Sequence, residues 1–482
     1  MPAVLGRLAH AAPPEAGDLP ARDDVSHLVS RTSFGLTATE VERARAMGYE
    51  AYLDEQLDPA SLDASELENA LTERLPTLSM SLPDLVEHAR EPEGRRQIYR
   101  EFVFATLYRA MVSPRQLYEV MVEFWGNHFS VFSLDGPLRV LKGWEDRTVM
   151  RPHALGSFAE LLHADAKSPA MLYYLDNISN VKDGPNENYA RELLELHTLG
   201  VDGGYTEQDV QETARIFTGW GLVPRDGRFR FYPGRHDYGA KEVLGRHFPG
   251  GRGVSEGERL LDLLASHDAT AAFVAAKLCR RFVADDPPQS VVDRVAESFR
   301  SSGGDVRAVL RTLFLSDEFL AAKDSKLKRP IDYVVSVLRA ADPTISERGY
   351  RAMYETLRRL GQVPYGWPAP DGFPDTSGYW VGTSTQLERW RFALGIADGT
   401  LEQLFQLSPP GSLSWASSPA GLVDTLCEHV LARPVAGEDR ETLIAYAAGD
   451  GGADDQIPYW RRFQVAREVL GLIMVSRYFQ LR

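Results

Sequence analysis

Chemistry needs side chains that move protons, bind metal or neutralise an anion, and this 482-residue chain gathers them in a few short runs. Asn127 and His128 follow the apolar run Phe124-Trp125-Gly126; Glu187, Arg191, Glu192 and Glu195 fall within NENYARELLELHTLG; Arg215 comes one run later; and His236-Asp237 precede Lys241. Imidazole and carboxylate together hold iron, manganese or zinc, and two histidines with one carboxylate form a facial ligand set. His128 and His236 with Glu187, Glu195 or Asp237 have the right composition, so a divalent metal is the cofactor expectation. Their spacing carries no metal signature, because there is no His-Glu-x-x-His and Glu192-x-x-Glu195 is not the Glu-x-x-His of a di-metal helix. Without metal, Glu187 or Glu195 would serve as general base and His128 and His236 as acid or base. Asn127, Arg191, Arg215 and Lys241 would then orient a small or anionic substrate.

The elements that must position these groups centre on 186–220. At 100° per residue, Tyr189, Ala190, Leu193, Leu194, Leu196 and His197 share one face of a helix, and Glu187, Asn188, Arg191, Glu192, Glu195 and Thr198 share the other. Glu187, Arg191 and Glu195 then form an i, i+4, i+8 ridge, worth about 0.2–0.5 kcal/mol per exposed pair. The plain reading of that ridge is a solvated face, and His197 on the apolar side reads as a core histidine. Gly200-Val-Asp-Gly-Gly204 turns the chain, and Thr206 with Asp209 caps a second helix. Beyond Trp220, the alternation in Arg228-Phe-Arg-Phe-Tyr232 and the extended Lys241-Glu-Val-Leu-Gly245 predict one small β-hairpin near 228–245. The run Gly250-Gly-Arg-Gly-Val-Ser255 fits neither the dinucleotide fingerprint nor the P-loop and reads as a plain loop before a helix capped by Ser255 with Glu258.

These runs carry a resemblance. The 186–220 stretch, with His27-Leu-Val-Ser-Arg31-Thr-Ser-Phe-Gly35, Phe124-Trp-Gly-Asn-His128-Phe, His236-Asp237-Tyr-Gly-Ala-Lys241, Lys328-Arg-Pro330, Gly361-Gln-Val-Pro364 and Ser476-Arg-Tyr-Phe-Gln480, resembles domain-of-unknown-function family 1800, a large bacterial family. The likeness spans nearly the whole chain from about residue 24. It implies no reaction. Members are often encoded beside another uncharacterised family similar to the sulfatase/phosphatase superfamily, which fits a protein partner from that family as well as a shared pathway. Many relatives look exported, whereas the first residues here, MPAVLGRLAHAAPPEAGDLPARDD, lack the apolar core of a signal peptide, so the expectation is cytoplasmic.

Composition bounds the rest. With 44% hydrophobic residues the chain can bury a large core, and a formal charge of −15 disfavours nucleic acid as partner. No segment is long and apolar enough to span a bilayer. Cys279 and Cys427 are far apart and form no thiolate site. The expected fold is mainly α: a disordered tail over 1–23, then a single large helical domain over 24–482, with a sub-boundary near 322–330 where basic residues of 323–329 read as a solvated linker. The loop 361–383 is long for a compact domain and therefore reads as the wall of a site. The leading expectation is an enzyme with its pocket along the 186–220 helix pair. The alternative is a non-catalytic binding or assembly protein using the aromatic loop 363–380, with Tyr365, Trp367, Phe373 and Trp380, as contact surface.

Overall fold

The computed structural model describes residues 19–20, 22–223, 226–407 and 416–482; most of the tail expected over 1–23 lies outside them. The described residues run through helices from Asp24–Thr32 to Arg477–Gln480, joined by three two-stranded antiparallel sheets. The fold is mainly α, as the periodicity predicts. Among the described residues no helix is long and apolar enough to cross a membrane. One contiguous apolar core extends from Leu28 to Phe479. Around it, Pro92–Val112 packs on Leu138–Glu145 and Pro330–Ala341. Asp268–Phe282, Gln289–Ser302 and Val306–Phe314 pack in succession, and Tyr459–Val475 lies against Thr383–Ala397 and Pro419–Leu431.

Helix starts follow capping chemistry. Asp23 accepts from Ser26 N–H and Thr37 from Glu40 N–H, while Thr206 and Asp209 form the expected reciprocal capping box. Each satisfies a backbone donor the helix leaves open.

Three local features differ from the sequence reading. The single hairpin near 228–245 is two hairpins: Trp220–Leu222 pairs with Phe229–Phe231, and Lys241–Val243 pairs with Arg246–Phe248. Leu244 and Gly245 have φ of 50° and 66°, and a two-residue turn with both φ positive folds the Lys241 strand forward onto its own neighbour. Second, Asn188–Glu192 is α-helical but Leu193–Thr198 is a π-helix, in which Leu199 N–H donates to Leu194 O at 2.9 Å and Thr198 Oγ1 to Leu193 O at 2.6 Å. The wider turn shifts the helical phase, so Thr198, expected on the polar face, is fully buried and Leu196 only half-buried. Third, the helix after the glycine-rich run begins at Val254 without a side-chain cap from Ser255.

The basic 323–329 segment is no solvated linker, because Lys326, Lys328 and Arg329 are buried. Residues 480–482 lie antiparallel to 326–328, with Lys328 N–H donating to Gln480 O at 2.9 Å. Here Asp332, 0% exposed, takes Arg281 at 3.2 Å, Arg329 at 3.0 Å and Arg482 at 3.2 Å. Burial alone would raise its pKa, but Arg281, Arg329 and Arg482 hold the carboxyl well below the usual range. Elsewhere the fully buried Lys142 and Glu145 form an ion pair beside Asp165, whose two oxygens have no hydrogen-bond partner. Burial first, and then the Glu145 charge, push the Asp165 carboxyl well up, so it is held protonated.

These facts separate two kinds of charge. Asp332→Ala strands three buried guanidinium groups and is expected to lower the unfolding free energy by about 3–5 kcal/mol in denaturant melts. Glu187→Ala, which removes an exposed partner of Arg191, is expected to change it by less than about 0.5 kcal/mol. Comparable losses in the two variants would refute this ranking.

Candidate functional site

The residues read from the sequence divide among three places. On the surface, Arg191 pairs with Glu187 at 3.3 Å and reaches across the turn to Glu207 at 2.9 Å, not to Glu195. Glu195 instead accepts from Tyr205 OH at 3.4 Å. Both Arg191 and Glu187 have 37% of the side chain exposed, so this ridge stitches the helix pair together at the surface.

The second place is the small β region. His236 Nδ1 donates to Thr218 O at 2.8 Å, and its Nε2 lies 3.6 Å from Glu256 Oε2 without a hydrogen bond. Lys241 Nζ donates to Glu256 Oε2 at 2.6 Å and to Asp237 O. Arg215 ties Asp237 (2.7 Å) to Glu212 (2.7 Å). Each charge has a close partner, which makes this a cross-link between the two hairpins and the Val254–Ala265 helix. Glu256, its buried hub, was not singled out by the sequence.

The third place is a convergence of elements around Asn127 and His128. His128 Nε2 donates to His197 O at 3.0 Å, a carbonyl carried on the π-helical turn. His128 Nδ1 and both His197 nitrogens are buried without hydrogen-bond partners. Burial first, and then the charge of Lys277, depress both imidazoles; His197 falls to about 3 and His128 lies well below its ordinary value. Both are neutral at physiological pH.

Phe273, Lys277 and Arg281 recur every four residues on the Asp268–Phe282 helix and so line one face of it. Arg281 is 1% exposed and Lys277 half-buried. Over this face runs the loop 361–383. Asn127 fixes the loop through two bonds, donating to Phe373 O at 3.0 Å and accepting from Phe373 N–H at 2.7 Å. Gly372 at φ +77° allows this approach, since a Cβ there would lie 2.2 Å from Asn127 O. Asp375 on the loop lies 3.6 Å from Lys326, 3.9 Å from Arg329 and 4.0 Å from Arg281. Those cations hold its carboxyl well down against the opposing effect of burial. Glu123 closes the floor, 2.7 Å from Arg329. A cavity of about 30 Å³ lies between Glu123, Asn127, Gln362, Trp367 and Phe373.

Lys277 differs from the other charges in this region. Among the described residues it has no carboxylate within ion-pair distance, and its ammonium lies 5.4 Å from the Phe273 ring centre. Burial, and then Arg280, lower its pKa to about 8, with only partial compensation from Asp371 and Asp375. At pH 7 about one molecule in ten carries the free amine there. The sequence reading missed Lys277, Arg281, Asp332 and Asp375. One signal was present: Arg281 falls in register with Val274 and Leu278 on the apolar stripe of its helix, where a charge demands a buried partner.

The residues considered for metal, Glu195 beside Tyr205 among them, are not assembled. His128 is committed to a carbonyl, His236 to another, Asp237 to Arg215 and Glu187 to Arg191. Among the described residues no three His, Cys, Asp or Glu side chains converge as metal ligands.

The depressed histidines fix a pH dependence. An unfolded histidine takes up a proton below about pH 6.5 while the folded one does not, so stability is complete above that pH and falls as the pH drops toward the folded value. For His197 the loss approaches about 1.4 kcal/mol per pH unit between pH 5.5 and the folded value near 3. Denaturant melts between pH 7.5 and 4.5 should show a shallower acid decline in His197→Phe than in the unaltered chain. Equal slopes would mean that His197 is not a neutral core histidine.

Comparison with known proteins bears on the whole chain. No curated protein and no solved structure matches it. The family model described as "Protein of unknown function (DUF1800)" matches residues 27–481, and the chain belongs to that family.

Proposed function

We propose that the chain is an enzyme acting on a small anionic substrate where the 361–383 loop passes the Phe273–Lys277–Arg281 face, with the Lys277 amine as general base. The observation that carries this reading is Lys277 itself: a half-buried amine without an ion-pair partner among the described residues and with a pKa of about 8. A general base works best with its pKa near the operating pH, and burial among cations is a route by which a lysine reaches that range. Half-buried Arg280 supplies positive charge on the same helix for an anionic group, and neutral His128 and His197 keep the wall behind it free of charge.

This reading moves the reactive centre from the 186–220 ridge to the helix facing it. It keeps Asn127 and His128 as parts of the wall. Metal dependence is not part of it, because the residues considered for metal are committed elsewhere. The assembly alternative has less support, since Phe373 and Trp380 are 8% and 3% exposed and only Tyr379 and Val381 on that loop present large apolar surface. A cytoplasmic location and a sulfatase/phosphatase-like partner remain parts of the proposal that rest on sequence.

The test is selective labelling. Glyoxylate, an anionic aldehyde, is incubated with the protein and cyanoborohydride at pH 6–10, and modified lysines are mapped by peptide mass spectrometry. Lys277 should be modified with a half-maximal rate near pH 8, ahead of exposed Lys182, and inorganic phosphate should slow it. Labelling of Lys277 no faster than Lys182, or untouched by phosphate, would sink the reading.

A further inference from the structure

Away from the Lys277 cleft, a second internal cavity of about 10 Å³ is lined by Arg22, Lys328 and Arg482 together with apolar side chains such as Phe34, Leu431 and Phe479. Among the described residues no aspartate or glutamate lines it. The three cations are 3%, 7% and 2% exposed. Among the described residues Arg22 Nε and Nη1 and Arg482 Nε have no hydrogen-bond acceptor. Lys328 Nζ donates to Ser336 Oγ at 3.1 Å and sits 3.7 Å over the Phe479 ring, with no carboxylate within ion-pair distance.

The surrounding charge does not balance. Arg31, Arg389 and Arg433 are buried nearby, each about 1–2% exposed. The carboxylates that serve this group are Asp324, which lies 3.7 Å from Arg22 and also takes Arg433, Asp332, already shared by Arg281, Arg329 and Arg482, and Asp375, whose charge acts on Arg482 from the 361–383 loop. Burial, and then Arg22 and Arg482, push the Lys328 ammonium well down, the mark of uncompensated positive charge. A lysine can relieve that stress by losing its proton; a guanidinium cannot. Buried guanidinium donors therefore call for an acceptor.

We infer that this cavity is a binding site for a single halide ion, chloride under ordinary conditions, which completes the charge and hydrogen-bond balance of Arg22, Lys328 and Arg482. Size selects the ligand class. The centre of a water-sized sphere can move over only about 10 Å³ here, so the space suits one small ligand, and a monatomic anion is the smallest that carries the charge the cations call for. A water would satisfy donors but leave the charge standing. The ion is structural: it ties the 480–482 segment and the 326–328 segment to the residue preceding the Asp24–Thr32 helix. It does not depend on the reading of Lys277.

Two measurements decide it. Crystals of the full chain grown in bromide should show an anomalous peak in the cavity between Arg22, Lys328 and Arg482; density for water there and no bromide peak overturns the proposal. In solution at fixed ionic strength, the thermal midpoint should rise by about 2 °C or more when gluconate is exchanged for chloride or bromide. Lys328→Met should abolish that halide-specific rise while sparing general salt effects. Equal midpoints in chloride and gluconate overturn the proposal. Should Lys328→Met fail to fold, the bromide peak in the unaltered protein decides alone.

Discussion

Asp332 is the constraint on which the arrangement depends. One carboxylate without access to water receives guanidinium groups from three separate parts of the chain. Arg281 brings the Asp268–Phe282 helix, and with it Lys277 one turn earlier. Arg329 brings the start of the Pro330–Ala341 helix and, through Glu123, the Gln116–His128 helix that ends in Asn127 and His128. Arg482 brings the strand-like segment beside 326–328. The elements that meet around Asn127, Lys277 and the 361–383 loop are thus oriented by one acceptor.

Such a knot is not chiefly a source of stability. Moving ions out of water costs several kcal/mol per group, and close pairing returns little beyond that sum. What it supplies is direction. Guanidinium donors are planar and fixed in geometry, so a carboxylate shared among three of them admits few alternative packings of the helices that carry them. The small β region obeys the same logic on a smaller scale, with Glu256 as hub and Lys241 and His236 as its neighbours.

How much was legible follows from the range of each interaction. Caps, turns and amphipathic stripes are local, so the mainly α fold, the Thr206–Asp209 box and the turn at Gly200 and Gly204 could be read directly. The π-helical turn could not, because a 100° wheel assumes uniform winding and nothing in Leu193-Leu-Glu-Leu-His-Thr198 announces an extra residue per turn. The phase error that follows put Thr198 on the wrong face. The site was only partly legible for a different reason. Asn127 and His128 stood out by type, but Lys277, Arg281, Asp332 and Asp375 meet across large sequence separations, and single charged residues on separate helices look like ordinary surface until a fold brings them together. The 323–329 segment shows the limit most clearly. A basic run is solvated in most contexts, and only the 480–482 segment lying over it makes it core.

On the two proposals above, the same excess of buried positive charge is resolved in two ways. Where the unpaired cation is a lysine, as at Lys277, the cheapest relief is to give up a proton, and the result is an amine that can accept one from a bound molecule. Where the cations are guanidinium groups, as at Arg22 and Arg482, that route is closed because their protons stay on throughout the accessible pH range. The charge then has to be met from outside the chain. Side-chain chemistry alone therefore separates a reactive centre from a structural one, although both stand in the same core and share neighbours through Asp332. An arginine at 277 would turn the first kind of site into the second, and this is why the identity of that residue, more than its charge, carries the functional reading.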